Sequence, residues 1–176
     1  MTLATSVNFI LSSLTVLAQI LVIWLVLSWL FSWPLPKVLR SRATLLAFIV
    51  ATIATLGSLT YSDILGYEPC KLCWFQRIFM YPQVLILGFA VFGKHKGSRA
   101  LFDVSFVMAI VGAVIAFYHY LMQNGIVPEG SCAAIGYSAS CAQRFVMNFD
   151  YITIPLMATS AFLLIIVALR ISKKDV

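Results

Sequence analysis

The stretch Glu68-Pro69-Cys70-Lys71-Leu72-Cys73-Trp74-Phe75-Gln76-Arg77 decides how the rest of this chain is interpreted. It contains a Cys-x-x-Cys pair, and an arginine follows the second cysteine by one helical turn. The stretch stands where a short polar connection runs into a long apolar segment. Thiols and a fixed positive charge at such an edge indicate electron chemistry rather than packing.

The composition around this stretch is that of a membrane protein. The chain has 176 residues, of which 62% are hydrophobic and only 10% are charged, whereas a soluble domain carries about 25% charged residues. Several apolar runs are long enough to cross the hydrocarbon layer as helices, which satisfy their own backbone groups. The net charge of +6 does not indicate nucleic acid binding, because the basic residues cluster at helix ends.

The apolar runs predict an all-α integral membrane protein with five transmembrane helices. Their expected ranges are about 8–31, 43–62, 73–92, 100–122 and 153–169. The first run is predicted to be a retained helix, because no basic region of a signal peptide precedes it. Basic loops follow the first and third helices, and an outer loop at 123–152 carries Cys132 and Cys141.

The loop charges predict the orientation of these helices. Strict alternation of five spans puts nine of the twelve basic residues on one side of the membrane. These nine are Lys37, Arg40, Arg42, Lys94, Lys96, Arg99, Arg170, Lys173 and Lys174. Such a bias marks the cytoplasmic side. The N-terminus is therefore expected outside, the C-terminus in the cytoplasm, and all four cysteines on the outer face.

Cysteines outside the cytoplasm tend to be oxidised, so two pairs suggest two disulfides. Four cysteines allow three pairings, and the spacing favours Cys70 with Cys73 and Cys132 with Cys141. If Cys70 begins a helix, positions i and i+3 lie about 5–6 Å apart, which suits a disulfide. The helix N-terminus also favours a thiolate there.

Arg77 lies on the same helical face as Cys73, one turn deeper. One interpretation is an anchor that snorkels to the headgroups. The other is a fixed cation that stabilises a thiolate or a reduced acceptor.

The cysteines have three other interpretations. Purely structural disulfides are one of them. A four-thiolate zinc site is another, but an oxidising outer compartment argues against it, so no metal is expected. A thioredoxin-like site is the third, although no βαβ pattern surrounds the Cys-x-x-Cys.

The motifs that the sequence lacks exclude several kinds of electron acceptor. The chain has no Gly-x-Gly-x-x-Gly for a flavin or nicotinamide. Its two histidines, His95 and His119, lie at opposite ends of the predicted helices and so cannot form a paired haem ligation. A quinone is the remaining choice. His119 is a candidate for lining its pocket, with helix packing as the alternative role.

Three segments together resemble the DsbB-type (BdbC-like) disulfide-bond-formation quinone oxidoreductases. The resemblance covers roughly residues 43 to 172. It is carried by the opening stretch with Tyr81-Pro82, by Tyr118-His119-Tyr120-Leu121-Met122-Gln123, and by Cys141-Ala142-Gln143-Arg144 leading to Asp150 and Pro155.

The resemblance implies a fold and a location. It implies a four-helix redox domain at 43–176 in the bacterial cytoplasmic (inner) membrane. The first span has no counterpart in the four-helix members, so residues 1–42 are expected to form an extra helix and a basic inner loop.

The resemblance also implies the roles of the site residues. The family reoxidises a DsbA-type thioredoxin-fold partner. Cys132 and Cys141 are then the pair that exchanges with the partner, and Cys132 is the residue attacked. Cys70 and Cys73 receive the electrons, Cys73 faces the quinone, and Arg77 stabilises negative charge on the thiolate and the quinone.

The sequence is also compatible with two rival functions. One is a non-enzymatic small membrane protein with structural disulfides. The other is a quinone reductase like the vitamin K epoxide reductases, whose loop cysteines precede the Cys-x-x-Cys in the chain. Here the Cys-x-x-Cys comes first, which favours the DsbB-type interpretation.

Overall fold

The computed structural model describes residues 2–93, 98–129 and 139–172. Its helices are α1 Leu3–Leu30, α2 Lys37–Ser41, α3 Ala43–Leu59, α4 Lys71–Phe92, α5 Arg99–Gln123 and α6 Ile154–Ser172. A π-helical turn, Thr60–Ile64, continues α3. Five of these helices are long and apolar enough to cross a membrane, if α3 and its π-helical turn are counted together. The predicted all-α integral membrane fold is confirmed.

Helices α3 to α6 form a four-helix bundle in which each helix packs against two neighbours. Helix α5 packs against α4 and α6, and α3 packs against the same two helices from the other side. Small side chains such as Ala47, Ala51 and Ala109 are fully buried at these contacts, which lets the helices approach closely.

Helices α5 and α6 approach each other closely at Gly112. A Cβ atom on Gly112 would lie 2.3 Å from the ring of Phe162, so this ring fits only because residue 112 has no side chain. The fully buried Phe162 then fills the centre of the bundle.

Helix α1 stands outside the bundle and packs mainly against α6. It is the least buried of the five membrane helices, whereas α6 is the most buried. The predicted arrangement of four bundled helices and one additional N-terminal helix is therefore confirmed.

The local sequence explains why α4 begins at the Cys-x-x-Cys pair. Cys70 is the N-cap residue, with extended backbone, and its Sγ accepts the backbone N–H of Cys73 at 3.4 Å. Pro69 precedes it and offers no N–H of its own. The cysteine pair thus lies at the first turn of a membrane helix, where the N–H groups of the backbone point towards the sulfur.

Because of the direction in which the helices run, the residues of the site lie at one end of the bundle. The start of α4, the end of α5 and the start of α6 lie at that end. The opposite end joins the start of α3 to the end of α6 through a 2.8 Å hydrogen bond between Thr44 and Ser172. The basic residues Lys94, Lys96, Lys173 and Lys174 lie outside the described residues.

Candidate functional site

The two cysteines of the Cys-x-x-Cys pair are in contact but not bonded to each other. Cys70 is buried and Cys73 is half-buried, and both are free thiols in this structure. Their Sγ atoms lie 3.1 Å apart and share a hydrogen bond. A disulfide bond is about 2.05 Å long. The helical spacing therefore brings the two sulfurs into contact as predicted, and the Cys70–Cys73 disulfide stays a prediction.

The surroundings of Cys70 favour its thiolate. The hydrogen bond with the Cys73 thiol is the largest influence and lowers the pKa of Cys70 to about 4. Burial acts in the opposite direction, and the neighbouring His119 lowers the pKa further. Because the thiolate is the reactive form of cysteine, Cys70 is the better nucleophile of the two cysteines in the Cys-x-x-Cys pair.

His119 lies between Cys70 and the segment that carries Cys141. Its Nε2 atom is 2.9 Å from the carbonyl oxygen of Cys141 and 3.7 Å from the Sγ of Cys70. A carbonyl only accepts hydrogen bonds, so Nε2 carries the proton and points it at both atoms. The amide of Gln76 donates to Nδ1 at 2.9 Å. Gln76 thereby holds the ring in the tautomer that offers a proton to the Cys70 sulfur.

Cys141 is fully buried and disulfide-bonded. Its Sγ lies within 4.8 Å of the Sγ of Cys70. The predicted partner, Cys132, lies outside the described residues, so the Cys132–Cys141 pairing stays a prediction. A bonded sulfur beside a thiolate is the arrangement from which disulfide exchange starts.

Three of these residues are also close enough together for a metal site. Cys70, His119 and Cys141 have ligand atoms within 4.8 Å of one another. A structural zinc site needs four ligands, with cysteines as thiolates. The disulfide at Cys141 leaves two such ligands in this group, so its geometry suits thiol exchange better.

The segment that presents Cys141 is tied to the end of α5. Ser140 donates to the carboxylate of Glu129, and this hydrogen bond is the main reason why the pKa of Glu129 is lowered. Arg144 donates through Nε to the carbonyl oxygen of Gln123 at 2.8 Å. The amide of Gln123 donates in turn to the carbonyl of Gln143 at 2.9 Å. These contacts fix the position of Cys141 from both sides.

A large apolar cavity opens on the other side of the cysteine pair. Its volume is about 320 Å³, and its walls come from α1, α3, α4 and α6. Cys73 lines this cavity and Cys70 does not. A second cavity of about 20 Å³ is lined by Cys70, Cys73 and His119. Cys73 therefore borders both spaces, whereas Cys70 borders only the small one next to Cys141.

Arg77 lies in the wall of the large cavity. Its Nε donates to the hydroxyl of Ser58 at 3.1 Å, and its terminal nitrogen donates to the carbonyl of Ser58 at 3.2 Å. Its guanidinium carbon lies 5.1 Å from the centre of the Trp74 ring. Tyr81 also donates to the Ser58 hydroxyl, at 3.1 Å. No carboxylate in the described part of the chain pairs with Arg77, so its charge is held in place without being neutralised.

The structure changes the expected position of His119. It does not line the large cavity. Its ring lies instead in the protein interior beside Cys70, because the position on α5 faces α4 rather than α1 or α3. The sequence interpretation also missed Gln76 and Ser58. Gln76 follows Cys73 by three residues and so lies on the thiol face by helical periodicity, whereas Ser58 carries no signal in the sequence.

Comparisons with known proteins identify the family of the chain. The family described as "Disulfide bond formation protein DsbB" matches residues 40–171. Disulfide bond formation protein C of Bacillus subtilis is 42% identical, over 73% of this chain and 91% of its own length. The probable disulfide formation protein C of Bacillus cereus is also 42% identical, over 73% and 89%.

A more distant relative covers more of the chain. The probable disulfide formation protein of Metapseudomonas resinovorans is 32% identical, over 80% of this chain and 96% of its own length. No solved structure shows a significant match. The extent of these matches shows that the chain belongs to the DsbB family of disulfide bond formation proteins.

Proposed function

We propose that this protein is a membrane thiol oxidase that reoxidises a DsbA-type thioredoxin-fold partner and passes the electrons to a membrane quinone. This activity sustains disulfide formation in exported proteins. The observation that carries the proposal is the two-sided position of the cysteine pair. Cys70 lies beside the disulfide-bonded Cys141, and Cys73 borders an apolar cavity that also holds Arg77.

The proposed reaction is a sequence of two disulfide exchanges. A thiolate of the partner attacks Cys132, forms a mixed disulfide and releases Cys141, and the partner's second thiol then resolves the mixed disulfide. The loop dithiol next reduces a Cys70–Cys73 disulfide and is itself oxidised again. Cys70 and Cys73 then hold the two electrons as thiols and pass them to the quinone, which restores their disulfide.

The overall reaction balances in atoms and electrons. Two thiols of the partner become one disulfide and release two electrons and two protons, which convert one quinone to one hydroquinone. A DsbA-type oxidant has a potential near −120 mV, and each 30 mV corresponds to about 1.4 kcal/mol for two electrons. The acceptor must therefore have a still higher potential, which a respiratory quinone supplies.

The large cavity fits a quinone. Its volume lies at the lower end of the range for small-molecule sites, about 300–1,000 Å³, and most of its lining is apolar. When bound, a quinone would accept the two electrons and protons of the dithiol. Arg77 and Tyr81 would lie at the polar end of the site, next to Cys73. The fixed charge of Arg77 stabilises negative charge that develops there.

The proposed location is the bacterial cytoplasmic membrane, with the cysteines and the N-terminus outside and the C-terminus inside. The support is the excess of Lys and Arg in the loops of the opposite side. A membrane-impermeant thiol reagent applied to intact cells tests this orientation. Reduced loop cysteines should be labelled without breaking the cells.

The function is tested by mixing purified protein, reduced DsbA-type partner and quinone, and following the quinone absorbance. The wild type should reduce quinone only when the reduced partner is present. If a Cys73→Ser protein reduces quinone at the normal rate, the proposed route is wrong. A partner variant without its resolving cysteine should be trapped on Cys132. Two disulfides that both resist mild reductant would instead favour a purely structural role.

A further inference from the structure

Helix α1 lies outside the family match, which begins at residue 40, yet it forms one wall of the large cavity. Six of its residues line that cavity: Leu11, Leu14, Thr15, Leu17, Ala18 and Leu21. Leu11 and Leu21 are ten positions apart, which is about 15 Å along a helix. The wall therefore extends from the outer end of the cavity, near the redox site, deep into the membrane.

The wall is fixed to the bundle by polar contacts. Gln19 donates to the hydroxyl of Ser160 on α6 at 3.1 Å, and Tyr151 donates to the side-chain oxygen of Gln19 at 3.1 Å. Nearer the N-terminus, the amide of Asn148 donates to Ser12 at 2.8 Å. Hydrogen bonds between helices hold them together in lipid, where the apolar surface itself gives no preference for protein over lipid. Helix α1 is thus held in a fixed position as part of the cavity wall.

The contacts between α1 and α3 leave the cavity closed at its outer end and open further in. At the outer end, the Leu11 side chain lies 3.2 Å from where a Cβ of Gly57 would stand. Deeper in the membrane, the cavity residues Leu14, Leu17 and Ile53 are 40%, 62% and 39% exposed. The exposed edge faces the lipid, because all three residues belong to membrane-spanning helices.

We propose that α1 binds the apolar chain of the quinone and, with α3, forms the entrance through which the quinone arrives from the lipid. This inference rests on the proposed function and deepens it. The head of the quinone then lies next to Cys73 and Arg77, and its chain follows the surface from Leu14 to Leu21. Helix α1 is therefore a specificity-determining element for the acceptor, although it carries no redox residue.

The first test narrows the cavity at Ala18, which lines it in the middle of the α1 wall. Ala18→Phe should raise the KM for a long-chain quinone by about tenfold, which is about 1.4 kcal/mol and within the cost of overpacking. The rate at which the loop disulfide oxidises the partner in a single turnover should not change. Ile20→Phe is the matched control, because Ile20 is 58% exposed and does not line the cavity.

The second test does not depend on activity or on any variant. A photoreactive quinone with its reactive group on the chain is bound to the wild-type protein, irradiated, and the labelled peptides are mapped by mass spectrometry. Label should fall within residues 11–21, and excess unlabelled quinone should prevent it. Label confined to α3, α4 and α6 would overturn the inference.

The two tests separate the inference from the function on which it rests. If the wild type reduces quinone and Ala18→Phe has the same quinone KM as Ile20→Phe, the role of α1 is wrong and the proposed function stands. If the wild type neither binds nor reduces quinone, the proposed function fails and the inference fails with it.

Discussion

The most direct test of the site is a measurement of the pKa of Cys70 in variants of Cys73. The Cys70 pKa of about 4 is due first to the hydrogen bond from Cys73, with the sulfurs 3.1 Å apart. Cys73→Ala removes this donor, whereas Cys73→Ser keeps a hydroxyl donor at the same place. Both variants retain the backbone N–H that reaches Cys70 at 3.4 Å and the His119 ring at 3.7 Å.

The size of the effect follows from the charge on the acceptor. A hydrogen bond to a charged group contributes about 1.5–3 kcal/mol, and one pKa unit corresponds to about 1.36 kcal/mol. Cys73→Ala should therefore raise the pKa of Cys70 by about 1–2 units. The pKa should still lie below the ordinary cysteine value of about 8.5, because the other two contacts remain. Cys73→Ser should stay closer to the starting value.

The assay is the rate of alkylation by iodoacetamide as a function of pH, measured by mass spectrometry in detergent. Cys132 and Cys141 are replaced by serine in both proteins, since a Cys70 thiolate would otherwise attack the nearby disulfide. Only the thiolate reacts, so the rate should be flat at neutral pH and fall as the pH drops through the pKa of Cys70. The pH–rate curves of Cys73→Ala and Cys73→Ser each have a midpoint at the pKa of Cys70. The difference between these midpoints gives the contribution of the donor at position 73 to that pKa.

Two results would refute this reasoning. Equal midpoints in Cys73→Ala and Cys73→Ser would mean that the donor at position 73 has no influence on Cys70. Midpoints near 8.5 in both would mean that Cys70 is an ordinary thiol whose thiolate is not stabilised by its surroundings. Circular dichroism of both proteins provides the control that the helix content is unchanged.

Three further predictions concern the cavity, the exchange and the fold. Arg77→Gln should raise the quinone KM about tenfold or more, since a hydrogen bond to a charged group contributes about 1.5–3 kcal/mol; Ser58→Ala should have a smaller effect, because its carbonyl still holds the guanidinium. His119→Phe should slow the transfer of electrons from the loop cysteines in stopped-flow experiments and leave the quinone KM unchanged, because His119 does not line the large cavity; an altered KM with normal exchange would contradict this. Gly112→Ala should lower the free energy of unfolding by about 1–3 kcal/mol through its clash with Phe162, seen as a lower Tm, and an unchanged Tm would show that the ring can move away.

The membrane helices could be predicted from the sequence because long apolar runs have few alternatives in lipid. Their observed bounds differ from the predicted ones by a few residues, most at the start of α1, which begins at Leu3 rather than near residue 8. The short helix Lys37–Ser41 was not predicted, because five residues are too few to show apolar periodicity. The π-helical turn Thr60–Ile64 was not predicted either, since it continues the apolar run of α3 without a break.

Some features of the site could also be predicted from local sequence, whereas others depend on how the helices pack. The contact of Cys70 with Cys73 follows from helical spacing alone, and so does the position of Arg77 one turn deeper. The position of His119 depends on how α5 is rotated against α4, which no local pattern determines. The contribution of α1 to the cavity is also tertiary: Gln19 indicated a helix contact, but its partners lie 132 and 141 positions away along the chain.

Under the proposed function, the position of the cysteine pair gives each of its two sulfurs a separate role. The large cavity and the small one share Cys73, Phe145 and Ile154 as a common wall. Behind this wall, Cys70 lies with the polar groups that favour a thiolate and with the sulfur of Cys141. A single sulfur at Cys70 would reach the loop disulfide but not the apolar cavity. A pair at i and i+3, with the sulfurs in contact, crosses the wall. Under the proposed function, a quinone in the large cavity would therefore be reduced without entering the space around Cys70 and Cys141.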